Sequence, residues 1–165
     1  MSGNAKNFDI QNINSLNKEK IFVKYKLPKN KKIILFAIRT GGKGHSIQYD
    51  IDCLEYIYKI PIINKKYFIL CKLHGLESTD LHNKIYKKNK LNRNQALITR
   101  NINIETALAI CDIVISVRST TIYEAMAIKK PVIIINPMGI DIDVQKTGHD
   151  NSTFYAENPA QLIKN

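Results

Sequence analysis

A chain of 165 residues that is 44% hydrophobic can bury one core of ordinary domain size and is too short for two large ones. It holds no run of roughly 20 apolar residues, which argues against a helical membrane span, and its polar, Lys-rich first thirty residues lack an apolar signal core, so a cytoplasmic protein is expected. The formal net charge of +11 attracts anionic partners of any kind, but only 4 of the 25 basic residues are Arg and the Lys are scattered, which describes a solvated surface better than a phosphate-tracking face.

Residues 1–13 are polar, Asn-rich and aperiodic and read as a disordered or expression-derived tail, leaving the fold to residues 14–165. Leu16, Ile21, Phe22 and Tyr25 predict a short amphipathic helix closed by Leu27 and Pro28. The unbroken apolar run from Ile33 to Ile38 predicts a strand buried on both faces. After the loop RTGGKGHS, Ile47, Ile51, Leu54 and Tyr58 recur on one helical face, and Pro61 is expected to end that helix. Tyr67 to Leu73 is a second strand, and the loop HGLESTD offers Ser78, Thr79 or Asp80 as the cap of a helix through Lys88.

Ala96 to Thr99 predicts a third strand, and Ile104, Leu108 and Cys111 mark a short helix leading into a strand from Ile113 to Val117. Thr120 to Ile128 reads as a helix and Val132 to Asn136 as a strand. After a polar stretch, Thr153 to Ala156 predicts a last short strand, and Pro159 opens a helix cut off at Asn165, so truncation at the C-terminal end is expected. Strands alternating with helices, with continuous apolar strands in place of in-out alternation, predict an α/β fold. The expectation is a single Rossmann-like domain, a doubly wound parallel sheet with helices on both faces.

Cys53, Cys71 and Cys111 sit in apolar-periodic segments without metal-ligand spacing, which predicts buried free thiols. No Ser-His-Asp arrangement, glycosidase-like carboxylate pair or metal motif can be assembled. In an open parallel sheet, ligands bind outside the carboxyl ends of the strands, where helix N-termini present unpaired N–H groups. Three loops qualify: RTGGKGHS, HGLESTD and VRSTT. In the third, Ser119, Thr120 and Thr121 have the hydroxyls and N–H groups to meet a phosphate, and ordinary helix capping is the competing use of the same residues. Glu124, one turn on, is placed to accept from a ribose diol or simply to meet the helix dipole.

The extended segment IVISVRSTTIYEAMAIKKPVIII resembles the nucleotide-binding core of the C-terminal domain of GT-B glycosyltransferases. Its matching elements are the strand IVISV, the turn Ser119-Thr120-Thr121, Glu124-Ala125 on the helix, and Lys130-Pro131 before the next strand. The resemblance implies that the turn holds the diphosphate of the donor and Glu124 the ribose hydroxyls. Upstream, KYKLPKNKKIILFAIRTGG resembles the helix and first strand that open such domains. Gly41, Gly42 and Gly44 then occupy the loop that approaches donor phosphates, with Lys43 or Arg39 supplying charge, although a plain turn would use the same glycines. Lys72 to Gly75, KLHG, resembles the strand-end Lys-x-His-Pro of capsule and teichoic-acid polymerases, with Gly75 replacing Pro. That implies a cleft-facing His74, where a surface His is the other reading. Arg118 is a candidate phosphate partner. His45 is a weaker candidate than His74, and His82 and His149 read as surface residues.

The implied function is donor binding by a nucleotide-sugar glycosyltransferase that builds a surface polysaccharide or glycolipid. The donor would be a UDP-, CDP- or GDP-linked sugar, with no metal and no further cofactor. The acceptor site and catalytic base would belong to a missing N-terminal domain, so no catalytic residue is assigned and the chain alone is expected to be inactive. Peripheral contact with the inner face of a membrane is compatible with this. A nucleotide-sugar 2-epimerase domain shares the fold, but its Ser-Gly-Gly turn and paired Glu are lacking. A basic nucleic-acid-binding domain is the non-enzyme alternative, and no nucleic-acid-binding motif or Arg-rich stripe supports it.

Overall fold

A computed structural model of the chain describes residues 10–38, 46–75, 77–117, 119–135 and 153–156. The first described element, α1 (Ile10–Ser15), is helical where the sequence suggested a tail, and its Ile13 is buried; α1 packs on α5 (Ile104–Ile110). A helix this short is held by packing on its neighbour, not by its own propensity.

Helix α2 (Lys18–Tyr25) begins where Asn17 Oδ1 accepts from the Lys20 N–H. It ends at Lys26 in the left-handed conformation, with the N–H groups of Lys26 and Leu27 closing on Val23 and Phe22. Strand β1 (Lys32–Ala37) is buried from Ile33 onward. Helix α3 (Ile47–Ile63) starts at Ser46, whose Oγ accepts from the Tyr49 N–H.

Two expectations for α3 are corrected. Pro61 does not end the helix: it lies inside it, and the Asn64 N–H still donates to Ile60 O at 2.8 Å. Proline in the last turn forfeits its own N–H, and the burial of Ile57, Tyr58, Ile60 and Pro61 holds the turn in place. Ile47 is 73% exposed at the first position of the helix, whereas Leu54 and Tyr58 of the same stripe are fully buried together with Tyr49, Cys53 and Ile57.

The remaining elements fall close to the expected positions: β2 (Tyr67–Lys72), α4 (Asp80–Lys88), β3 (Ala96–Thr99), α5, β4 (Ile113–Ser116), α6 (Thr121–Ala127), β5 (Val132–Ile135) and β6 (Thr153–Ala156). Asn103 Oδ1 caps α5 through the Thr106 N–H. The helix expected from Pro159 lies outside the described residues.

Among the described residues all six strands are parallel, in the order β3-β2-β1-β4-β5-β6. Alternate side chains of β1 to β5 enter opposite cores. Ile34, Phe36, Ile69, Cys71, Ile115 and Ile133 pack with α3 and α4 on one face. Ile33, Leu35, Phe68, Leu70, Val114 and Val132 pack with α2, α5 and α6 on the other. The result is the expected Rossmann-like, doubly wound α/β sheet. The chain builds outward from β1 to β3 on one side, then returns to β4 and builds outward on the other. The reversal lies between β1 and β4, where such folds open a crevice at the carboxyl ends.

Candidate functional site at the carboxyl edge of the sheet

At the reversal point Ala37 is in register with Ser116, and Ser116 Oγ donates to the Ala37 carbonyl at 2.6 Å. This bond locks the carboxyl ends of β1 and β4 together. The loops that leave these ends are RTGGKGHS and VRSTT. Gly41, Gly42, Lys43, Gly44 and Arg118 lie outside the described residues, as do Arg39, His45 and His149.

In the second loop, Ser119 Oγ accepts from the Thr121 N–H at 3.2 Å and lies 3.1 Å from Thr121 Oγ1, to which it donates. The Ser119 carbonyl accepts from Ile122 N–H, and the Thr120 carbonyl from Tyr123 and Glu124. Capping therefore accounts for Ser119. It does not account for Thr120, whose side chain makes no cap bond and is exposed at the carboxyl edge. Glu124 is partly buried one turn further along α6. Burial, with the nearby Glu105 charge, raises its carboxyl above the ordinary 4.5, against the pull of a hydrogen bond from Thr121.

His74 follows β2 and is exposed. Its turn is closed in both directions: the Glu77 N–H donates to His74 O at 3.1 Å, and the His74 N–H donates to Glu77 Oε2 at 3.1 Å. The guanidinium of Arg100, just after β3, donates to the Glu77 carbonyl.

The other oxygen of Glu77 meets His82, which corrects the reading of His82 as a surface residue. His82 is fully buried, with Nε2 at 2.8 Å from Glu77 Oε1 and Nδ1 at 3.1 Å from Tyr58 Oη and 3.4 Å from Cys71 Sγ. Burial works against the imidazolium, but Cys71 and Glu77 outweigh it and hold His82 up, to about 10. Polar neighbours (TDLHNK) disguised this residue. The available signal was its position three before the buried Ile85, on the inward stripe of α4. Glu77 carries no comparable signal, because it sits in a loop rich in capping residues.

Since β1 lies between β2 and β4, the strand ends that lead to His74 and Ser119 are two strand spacings apart, roughly 10 Å. The structure thus brings His74, Thr120 and the Ser119–Thr121 pair to the same edge of the sheet. Lys130, which follows α6, donates instead to the Cys111 carbonyl at 2.6 Å, at the opposite edge. The three cysteines are free and buried, and burial pushes Cys53 and Cys111 up to about 12, which leaves them as inert thiols. Among the described residues no group of His, Cys, Asp and Glu is arranged to hold a metal, and no helix is long and apolar enough to cross a membrane.

Residues 4–161 match the family model described as CDP-glycerol:poly(glycerophosphate) glycerophosphotransferase. No curated protein matches the chain in sequence. Among solved structures, the wall teichoic acid polymerase TagF, in a crystal soaked with CDPG, is similar over 96% of this chain and 37% of its own, with 22% identity and a TM-score of 0.60. A putative UDP-N-acetylglucosamine 2-epimerase from Listeria monocytogenes is similar over 88% of this chain and 37% of its own, with 15% identity and a TM-score of 0.63. The UDP-GlcNAc 2-epimerase from Neisseria meningitidis bound to UDP-GlcNAc is similar over 89% and 38%, with 13% identity and a TM-score of 0.62. The GT-B type of fold is common to these matches, and the chain spans little more than a third of each of them.

Proposed function

Because this chain belongs to the CDP-glycerol:poly(glycerophosphate) glycerophosphotransferase family, we propose that it is the donor-binding half of a transferase that builds a glycerophosphate-containing surface polymer. The observation that carries this reading is the family match across residues 4–161, and the hydroxyl-rich turn at the reversal of the sheet gives it a physical site. The family description moves the donor away from the sugar nucleotide expected from GT-B enzymes in general, toward a cytidine diphosphate carrying glycerol.

In this proposal Thr120 and the Ser119–Thr121 pair meet the diphosphate, and Glu124 accepts from the ribose diol. His74 approaches from the β2 side, across the strand that separates the two loops. Gly41, Gly42, Lys43, Gly44 and Arg118 are assigned to the same diphosphate by the family resemblance. Transfer of glycerophosphate to an acceptor hydroxyl forms a new P–O bond and breaks the bridge between the two phosphorus atoms, releasing CMP. The donors at the sheet edge would stabilise the charge that grows on that leaving phosphate. The acceptor site and the base that takes the hydroxyl proton would come from a second Rossmann-like domain. Location in the cytoplasm, with the Lys-rich surface resting on anionic lipid, belongs to the same proposal.

Calorimetry with CDP-glycerol, CDP, UDP, GDP and ADP tests it. Cytidine diphosphates should bind more tightly than the others, weakly in absolute terms, and Thr120→Val should reduce that affinity. A folded chain that binds none of them would sink the reading. Glycerophosphate transfer by the chain alone would sink the assignment of the acceptor site to a second domain.

A further inference from the structure

The geometry points to Glu77 and His82 as positioning residues that set where His74 stands at the carboxyl edge of the sheet. This inference rests on the donor-site reading of His74. Glu77 and His82 are only 4% and 0% exposed, and an ionised carboxylate is costly in such surroundings unless its oxygens are bonded. Here one oxygen takes the His82 Nε2 contact at 2.8 Å and the other the His74 backbone N–H at 3.1 Å. The pair therefore links the core directly to the backbone of the one residue of this turn implicated in donor binding.

The far side of the His82 ring is held as firmly. Nδ1 lies against Tyr58 Oη of α3 and Cys71 Sγ of β2, so the plane of the ring is set by the elements packed beneath the loop. Arg100 clasps the Glu77 carbonyl from the end of β3. Tyr58 of α3 and Cys71 of β2 thus fix His82 of α4, and His82 and Arg100 together hold Glu77, which bonds the His74 backbone. A pair that served packing alone would be replaceable by apolar side chains of the same volume. A pair that positions His74 would not, because the His74 N–H would lose its acceptor and the turn its register.

The test is calorimetric titration of the chain with CDP, with thermal unfolding followed alongside, for Glu77→Gln, His82→Leu, His82→Gln, His74→Ala and the Glu77→Gln/His74→Ala double variant. Ser119→Ala reports on the donor site independently. Positioning predicts that Glu77→Gln and His82→Leu weaken CDP about five- to tenfold, the scale expected for a misplaced hydrogen-bonding group. His82→Gln, which returns an N–H near the Nε2 position, should restore most of the affinity. In the His74→Ala background, Glu77→Gln should add little. If His82→Leu does not fold, the near-isosteric Glu77→Gln decides the matter. The inference is overturned if Glu77→Gln lowers stability but leaves CDP affinity intact, or if its effect is the same with and without His74. A chain that binds no CDP overturns the donor-site reading and this inference together, whereas Ser119-sensitive binding that ignores Glu77 overturns this inference alone.

Discussion

Ser116 Oγ donates to the carbonyl of Ala37 at 2.6 Å, across the single strand boundary at which the sheet reverses its order. Both residues are buried, so the bond is shielded from water and stands directly beneath the crevice that the reversal opens. Removing the hydroxyl strands the Ala37 carbonyl. Ser116→Ala should therefore cost about 1–3 kcal/mol in urea unfolding, the range for a buried acceptor left unsatisfied. An unchanged midpoint would mean that water replaces the hydroxyl.

The turn at the start of α6 separates capping from binding. Ser119→Ala removes the acceptor of the Thr121 N–H and should lower stability by about 1 kcal/mol as well as weaken CDP. Thr120→Val keeps the shape of an exposed side chain that makes no cap bond, so its unfolding free energy should stay within about 0.5 kcal/mol of the parent. Its CDP affinity should nevertheless fall. Equal loss of stability in both variants would show that Thr120 is a structural cap after all.

Glu124 sets a pH dependence of binding. Only the carboxylate accepts both hydroxyls of a ribose diol, and burial and Glu105 hold the group above 4.5. CDP affinity should therefore be full well above that raised value and decline as pH falls through it, beginning at a higher pH than an ordinary Glu would allow. The same titration with 2′,3′-dideoxy-CDP should lack this component, and Glu124→Gln should flatten the profile for CDP. A CDP profile identical to that of the dideoxy nucleotide would remove Glu124 from the site.

His82 sets a pH dependence of stability with the opposite sense. Its protonated form is favoured in the folded chain, so its contribution is fully present below the unfolded value of 6.5 and is lost as pH rises through about 10. The gap in unfolding free energy between the parent and His82→Gln should narrow across that window. A gap that is constant from pH 6 to pH 10, on urea titrations at fixed temperature, would show that His82 is held neutral.

Much of the fold was legible in local pattern. Ile33 to Ile38, Phe68 to Cys71 and Ile113 to Ile115 are almost wholly buried apolar runs because a parallel sheet covered on both faces buries successive side chains, and no partner needs to be known to see that. Ser46 and Asn103 cap their helices through atoms three residues away, a local signal that the apolar pattern alone did not single out. Where the register of a helix against the sheet mattered, local pattern failed. Ile47 continues the stripe of Leu54 and Tyr58, yet it is exposed at the first position of α3 while both of them are fully buried. Pro61 is a helix breaker by chemistry, yet it is buried inside α3 and the helix continues through it to Ile63.

The sequence by itself determined the alternation of elements, the two-faced burial of the sheet and the hydroxyl turn Ser119-Thr120-Thr121, because each depends on neighbours a few residues apart. Only the tertiary structure decided which of those hydroxyls serves the helix and that Ser116 ties β4 to Ala37 of β1. It alone placed His82 in the core, with its carboxylate partner bonded to the backbone of His74. The reason is physical: whether a polar side chain faces water or a buried partner depends on what the rest of the chain packs over it, and no spacing within α4 records that Tyr58, Cys71 and Glu77 close around one imidazole.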